Sequence, residues 1–351
     1  MSGDFPAFVS FTVTNACNLR CAMCGQWSPA GYIRSGRGRR GHPLTAEDWM
    51  RLADEAAAHG IKSILLRGGE PFMLPGIQRL LEHLHDLGMF ISIDTNGTRL
   101  AAFAEELVRL GRVHVTVSID GTERVHDAVR GVPGCFRQIA FGLKRLAELD
   151  PGRPPHVSRA LCFTISPWSL PGLGAMPEVA RQLGIETICI VPYCYVSTAA
   201  GRAWAEQVRE LVGQEAFAWR GFEHDQSGVD LAEFEREHQR FTASLGEVTS
   251  YPYMPLSRDE YRAWFADPAK AVGPAACSNV ERLLDIQPTG EANFCVDLPD
   301  ASLGNVRRQS IAEIWQGEPA RRFRERRRRE PLGACSRCVA RHMADPRDSS
   351  G

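Results

Sequence analysis

The sequence has almost no net charge, no long apolar run and no internal repeat beyond a strand–helix alternation, and these absences narrow its function. Lys plus Arg (41) nearly cancels Asp plus Glu (42), so no long-range field steers the chain to nucleic acid or to an anionic membrane. The opening residues MSGDFPAFVSFTVTNAC lack the basic start and apolar stretch of a secretory signal, and no later stretch approaches the length that spans a bilayer. The expected location is therefore the cytoplasm, with neither nucleic acid nor membrane among the partners. Any specificity has to come from a local site. The eleven cysteines, an odd number, are not expected to form a disulfide framework in a compartment whose thiol pools keep them reduced. Where they cluster, they point to metal.

A chain of 351 residues, 44% of them hydrophobic, can build one large core or a core with a small appended domain. Six β-rich runs stand out: FVSFTVT (8–14), IKSILLR (61–67), MFISIDT (89–95), VHVTVSI (113–119), HVSRALCFTI (156–165) and IETICIV (185–191). Helical periodicity fills the gaps over 46–59, 77–87, 102–110, 136–149 and 173–183. Such alternation predicts a parallel α/β sheet with right-handed crossovers, either open and doubly wound or a partial barrel. In both architectures the functional loops follow the C-terminal ends of the strands. Those loops carry Cys17 to Cys24, Gly68 to Pro71, Thr95-Asn96-Gly97, Ser118 to Gly121 and Pro192-Tyr193-Cys194, all expected around one mouth. The expected organisation is a core over 1–200, a charged helical linker over 201–251 and a C-terminal domain over 252–351.

The first cysteine group reads CNLRCAMC, with Cys17, Cys21 and Cys24 spaced C-x3-C-x2-C. This spacing is too short for separate structural elements, so one loop has to wrap the metal. Three thiolates without a fourth leave a coordination position open, and an open position is where a substrate or cofactor binds, whereas a structural zinc site is closed by four ligands.

This motif, after a first strand, resembles the radical S-adenosylmethionine (radical SAM) superfamily, which implies a partial (β/α)6 barrel and a four-iron, four-sulfur cluster held by Cys17, Cys21 and Cys24. The resemblance implies that S-adenosylmethionine chelates the fourth iron. The reduced cluster then cleaves it to methionine and a 5′-deoxyadenosyl radical that removes a hydrogen atom from a substrate, with an external donor of flavodoxin or ferredoxin type. The run RGGEP (67–71) is similar to the family's GGE motif, in which backbone carbonyls and the Glu carboxylate receive the ammonium group of S-adenosylmethionine. Gly68 and Gly69 permit close approach and Glu70 brings the opposite charge. IDTNGT (93–98) and VSIDGTERVHDAVRG (117–131) resemble the family's strand-end segments, which assigns Asn96 and Ser118, then Asp120 and Arg130, to the nucleoside or its carboxylate. Met23 stands where the family often has an aromatic residue packed on the adenine, a task that a methionine can perform.

A second set comprises Cys277, Cys295, Cys335 and Cys338, in the pattern C-x12-G-x4-C followed by C-x2-C. Four thiolates, two from a hairpin and two from a knuckle, close a metal site, so it should be structural or electron-transferring, as zinc or as an iron–sulfur cluster. The arrangement resembles the auxiliary-cluster domains called SPASM and Twitch. The full SPASM domain uses seven cysteines for two clusters, and none of the thirteen residues after Cys338 is Cys, so the shorter Twitch form, or a truncated SPASM, with one auxiliary four-iron cluster is expected. The run RRFRERRRRE (321–330) has seven arginines in ten residues and is read as a solvated helix face rather than an RNA site. Cys135, Cys162 and Cys189 are read as core residues, while Cys194, Tyr193 and Tyr195 are expected at the mouth.

The expected function is oxidative radical chemistry on a small metabolite or cofactor precursor, with the auxiliary cluster accepting an electron. Modification of a ribosomal peptide or protein side chain by the same machinery is the alternative. A third reading, a non-catalytic zinc module, leaves the GGE segment without a purpose. A cluster loop starting at residue 17 leaves no room before it for a leader-peptide domain, which favours the metabolite. The linker and the two tyrosines are expected to encode substrate identity.

Overall fold

Strand β1 (Phe8–Thr14) buries every residue from Phe8 to Val13, and a strand without a solvent face belongs inside a parallel sheet. It lies between β2 (Ser63–Gly68) and β8 (Leu283–Ile286), parallel to both. The structure, a computed structural model, describes residues 4–38, 41–152, 155–273 and 275–342. From β2 the sheet continues in parallel through β3 (Phe90–Thr95), β4 (Val113–Ser118), β5 (Val157–Ile165), β6 (Thr187–Pro192) and β7 (Thr249–Pro252). On the other side, β9 (Glu291–Asn293) and β10 (Gly304–Asn305) add antiparallel to β8, so the ten-stranded order is β10-β9-β8-β1-β2-β3-β4-β5-β6-β7. This is the expected partial barrel with its C-terminal hairpin.

The helices are α1 (Ala46–Ala58), α2 (Ile77–Asp86), α3 (Leu100–Leu110), α4 (Glu123–Arg130), α5 (Cys135–Leu149), α6 (Met176–Gln182), α7 (Thr198–Val212), α8 (Leu231–Ala243), α9 (Arg258–Ala266), α10 (Asn279–Arg282), α11 (Ile311–Gln316) and α12 (Glu318–Arg329). Local chemistry sets their starts: Thr45 and Asp48 form a capping box on α1, Ser257 and Glu260 on α9, and Ser310 and Glu313 on α11. The apolar stripes of these helices meet the strands, as where Trp49 of α1 packs on Phe11 of β1 at 4.9 Å between ring centroids.

All six expected strands are present, with ends shifted by at most two residues. Two further parallel strands flank them. β7 reads TSYP, is mostly exposed and ends in proline, a composition that an edge strand tolerates but that carries no alternating apolar signal. The boundary expected between residues 251 and 252 therefore falls inside a strand. The C-terminal region is joined to the barrel by β8 on β1, and one apolar cluster runs from Val9 to Val339 through both.

Along β4 the residues Val113, Val115 and Val117 are buried while His114, Thr116 and Ser118 are only half-buried. Alternation at a period of two sends these polar residues to the opposite face. This polar face opens at the C-terminal ends of the strands, where the site lies.

Candidate active site

The loop after β1 is held by its neighbours more than by itself. The N–H groups of Arg20 and Ala22 donate to the carbonyls of Arg130 and Val129 (3.0 and 2.9 Å), at the end of α4, where a helix leaves carbonyls unpaired. Trp27 Nε1 donates to the Asn15 carbonyl at 2.7 Å, and the Arg20 guanidinium covers the Trp27 ring at 4.5 Å. From the linker, Gly221 presses on Gly25 so closely that a Cβ at Gly221 would fall 2.0 Å from the Gly25 oxygen.

So held, Cys17, Cys21 and Cys24 line one wall of a cavity of about 330 Å³. Burial raises the thiol pKa of Cys17 and Cys24, and the neighbouring Cys21 adds to it. These three half-buried thiols face one space, where a bound metal would draw its ligands from them.

The end of β2 crosses the end of β1 at contact distance. Gly68 has φ +150°, and a Cβ there would lie 2.3 Å from the Thr14 oxygen; at Gly69 it would lie 2.3 Å from the Ala16 oxygen. Both glycines line the cavity, but the Glu70 side chain does not. Its carboxylate accepts from Phe72 N (3.1 Å), Thr95 Oγ1 (2.8 Å) and Asn96 N (2.8 Å) and is fully buried. In this structure the carboxylate ties the end of β2 to the end of β3, and the cavity meets the backbone of Gly68 and Gly69.

Asn96, Ser118 and Met23 all line the cavity. Asn96 Nδ2 donates to Asn18 Oδ1 at 2.9 Å and lies 3.9 Å from the Cys17 sulfur. Asp120 is buried behind the wall and accepts from Arg130 Nε at 2.5 Å, while Arg130 Nη1 lies 3.6 Å from the Cys21 sulfur. Asp120 thus positions Arg130, which lines the cavity.

The opposite wall was not foreseen. Arg67 forms an ion pair with Asp297 (3.4 Å), and both line the cavity along with Asp94. Burial raises the Asp94 pKa against the opposing pull of Arg67 and a hydrogen bond with Thr116. Ser118, Cys162, Cys189 and Tyr251 sit side by side across β4 to β7, and Cys162 also reaches the cavity. The signal available was strand alternation, which places Asp94 and Ser92 opposite the buried Ile91 and Ile93.

Tyr193 and Cys194 line the cavity as expected, whereas Tyr195 does not: it is fully buried, with its hydroxyl donating to the Trp264 carbonyl and Arg337 over its ring. Of linker residues 201–251, only Phe222 reaches the cavity. The linker seals the cysteine loop more than it shapes the space.

Val296, Asp297 and Val339 close the far side, next to Cys295 and Cys338. The four C-terminal cysteines lie near enough to act on one another: burial raises the thiols of Cys295 and Cys338, and charge on Cys335 and Cys277 raises them further. In neither cysteine group do three sulfurs lie mutually within 4.8 Å; the only such trio of ligand atoms among the described residues is His126, Asp127 and Cys135. Four sulfurs on one zinc ion, at Zn–S of about 2.3 Å, would lie about 3.8 Å apart, so neither set is arranged for a single tetrahedral ion. The His126 trio is occupied internally, with Asp127 accepting from Gly134 N, Phe136 N and the Cys135 thiol, and His126 Nδ1 accepting from Asp120 N.

The radical SAM superfamily model matches residues 11–158, and the SPASM model, an iron–sulfur cluster-binding domain, matches residues 277–339. The chain is 26% identical to Fe-coproporphyrin III synthase of Methanosarcina barkeri, over 96% of this chain and 82% of that protein. It is 33% identical to the sporulation killing factor maturation protein SkfB of Bacillus subtilis, over 41% of this chain and 34% of that protein. Among solved structures it resembles Streptococcus suis SuiB bound to its precursor peptide SuiA, with a TM-score of 0.65 and 15% identity, covering 96% of this chain and 72% of that one. No helix among the described residues is long and apolar enough to cross a membrane. The radical SAM domain takes S-adenosylmethionine and a four-iron, four-sulfur cluster, the C-terminal domain takes auxiliary iron–sulfur, and the cysteine sets fit both. The chain is an enzyme of the radical SAM superfamily with a C-terminal SPASM domain.

Proposed function

We propose that this enzyme removes a hydrogen atom and then an electron from a small molecule, a net two-electron oxidation. The supporting observation is that one cavity is bounded by Cys17, Cys21 and Cys24 on one wall and by the residues beside Cys295 and Cys338 on the other. When bound, the cofactors supply a 5′-deoxyadenosyl radical from S-adenosylmethionine at one end and a one-electron acceptor at the other. Cys17, Cys21 and Cys24 hold the first cluster, and Cys277, Cys295, Cys335 and Cys338 the auxiliary one. Gly68 and Gly69 present backbone to the amino acid part of S-adenosylmethionine, while Asn96, Ser118 and Met23 contact its nucleoside. Asp94, half-buried beside Arg67, takes the proton that leaves the substrate radical. The first cluster receives its electron from a flavodoxin or ferredoxin type of donor.

About 330 Å³ is at the small end of ligand cavities, which favours a metabolite or the reacting end of a larger molecule. The similarity to PqqA peptide cyclase of Granulibacter bethesdensis, 26% identical over 88% of this chain and 73% of that protein, supports a second reading, modification of a peptide. The test is anaerobic reconstitution followed by measurement of 5′-deoxyadenosine with dithionite and S-adenosylmethionine. Candidate panels are then added: aminocyclitols and sugars, carboxylated tetrapyrroles, and Cys-containing peptides. Stimulation by a small molecule supports the first reading, stimulation by peptides alone replaces it, and no deoxyadenosine at all rejects both.

A further inference from the structure

Helix α12 does not present a fully solvated arginine face. Arg324 and Arg327 are each only 4% exposed, and from the following segment Arg337 and Arg341 are 1% and 2% exposed. A buried guanidinium normally pairs with a carboxylate, yet among the described residues no acidic side chain lies within ion-pair distance of Arg324, Arg327 or Arg337. Backbone carbonyls hold them instead. Arg324 donates to Val280 and Trp315 (2.7 and 2.8 Å) and stacks on the rings of Phe294 and Trp315, and Arg337 donates to Lys270 at 2.7 Å and stacks on Tyr195 and Trp264. These two pin the domain together.

Arg327 differs in where its charge falls. Its Nη2 donates to the Ala275 carbonyl at 2.8 Å, and its buried Nε, like Nη2 of Arg324 and Nε of Arg337, has no acceptor among the described residues. Its charge acts on Cys277 and Cys295, and that of Arg341 acts on Cys338, Cys335 and Cys277. Two buried cations, one from a helix and one from the segment after it, thus flank four half-buried sulfurs from different elements. The orphaned donor of Arg327 and its charge, with no acidic side chain in ion-pair distance among the described residues, both ask for an anion beside Cys277 and Cys295.

We propose that Arg327 and Arg341 are the counter-charges of the auxiliary cluster, and that they raise its reduction potential so that it accepts the substrate's electron. This rests on the reading that the four C-terminal cysteines hold such a cluster. A four-iron cluster with four thiolates is a dianion when oxidised and a trianion when reduced, so fixed positive charge favours the reduced form. In the reaction, a substrate C–H loses its hydrogen atom to the deoxyadenosyl radical. The carbon radical then loses one electron to the auxiliary cluster and one proton to the Asp94 carboxylate. The electron leaves to a one-electron carrier protein or to the first cluster.

The experiment uses the full-length Cys17/Cys21/Cys24→Ala protein, anaerobically reconstituted, so that only the auxiliary cluster is titrated by EPR-monitored potentiometry. Arg327→Gln is expected to lower the reduced-to-oxidised ratio at fixed potential at least tenfold, equivalent to 59 mV for one electron. Arg327→Lys is expected to stay within threefold of the parent. Arg341→Gln should shift the ratio in the same direction as Arg327→Gln, and Arg328→Gln, an exposed residue paired with Glu281, should not. Unchanged potentials in both Gln variants overturn the proposal, as does a Lys variant shifted as far as Gln. Should Arg327→Gln fail to hold iron, Arg341→Gln decides alone. A parent protein lacking iron and sulfide would reject the cluster reading itself, an outcome distinct from a cluster present with an unmoved potential.

Discussion

Two side chains carry the sharpest predictions at the scale of single residues. Asp94 faces the cavity with a pKa raised by burial and lies beside Arg67, a setting that suits a proton acceptor. Asp94→Asn is expected to lower product formation about 100-fold, within the range for loss of a general base. Iron content and substrate-free deoxyadenosine formation should be retained; equal loss of both activities would mean that Asp94 supports the cofactor instead. His126 is fully buried with Nε2 unpartnered, and burial, assisted by the charge of Arg130, pushes its pKa down to about 3. Between that value and the unfolded value near 6.5, the unfolded chain binds one proton more than the folded chain. Stability is therefore lost as pH falls through this window, by about 1.4 kcal/mol per unit below 6.5. His126→Asn keeps an acceptor for Asp120 N without the titration. Unfolding free energies of the apo proteins from denaturant titrations at pH 5.5 and 4.5 should show wild type losing more than the variant by about that amount, and parallel losses would show that His126 is not the group responsible.

At the scale of elements, the sequence made visible whatever repeats or clusters. The strands from β1 to β6 were legible because their apolar runs are long and bounded by turns, and the cysteine loops because spacing is conserved in one dimension. What was lost depends on three dimensions. The orientation of Glu70 is decided by donors on β3 and by the short turn after it, Tyr195 is covered by α9 through Trp264, and β7 becomes a strand only because β6 offers it an edge. Burial of Arg324 and Arg327 likewise depends on carbonyls from distant segments. The linker shows the same lesson: its short helical turn at Ala218–Phe222 packs on the cysteine loop, and a Cβ at Gly221 has no room beside Gly25. Gly221→Ala should therefore displace the loop and, by overpacking, cost about 1–3 kcal/mol. Iron should fall at the first site and persist at the second, which iron and sulfide analysis of Gly221→Ala in the wild-type and triple-alanine backgrounds would separate. Equal loss at both sites would show that the contact serves the whole fold.

For the whole molecule, the question is whether barrel and cluster domain are separable. The geometry says they are not. β8 pairs with β1 from Phe8 to Phe11, Thr12 Oγ1 donates to Asp285 on β8 at 3.2 Å, and Phe8 and Leu65 share a buried cluster with Leu283, Val296 and Ala340. From the same C-terminal region, Asp300 accepts from the Trp204 indole and from Phe217 N and Ala218 N (3.1, 2.8 and 3.0 Å), fixing the linker that seals the cysteine loop. A chain ending at residue 270 would leave the most buried strand of the barrel as an unpaired, apolar edge, the feature that drives strands of different molecules together. Such a truncation is expected to aggregate rather than yield a monomeric barrel. Replacing Cys277, Cys295, Cys335 and Cys338 by Ser removes the auxiliary ligands without unpairing β8, so that protein should elute as wild type does in size-exclusion chromatography and keep its far-ultraviolet circular dichroism. Recovery of the truncated chain as a folded monomer would show that the barrel closes without β8. Aggregation of both proteins would place the decisive stabilisation in the cluster rather than in the strand.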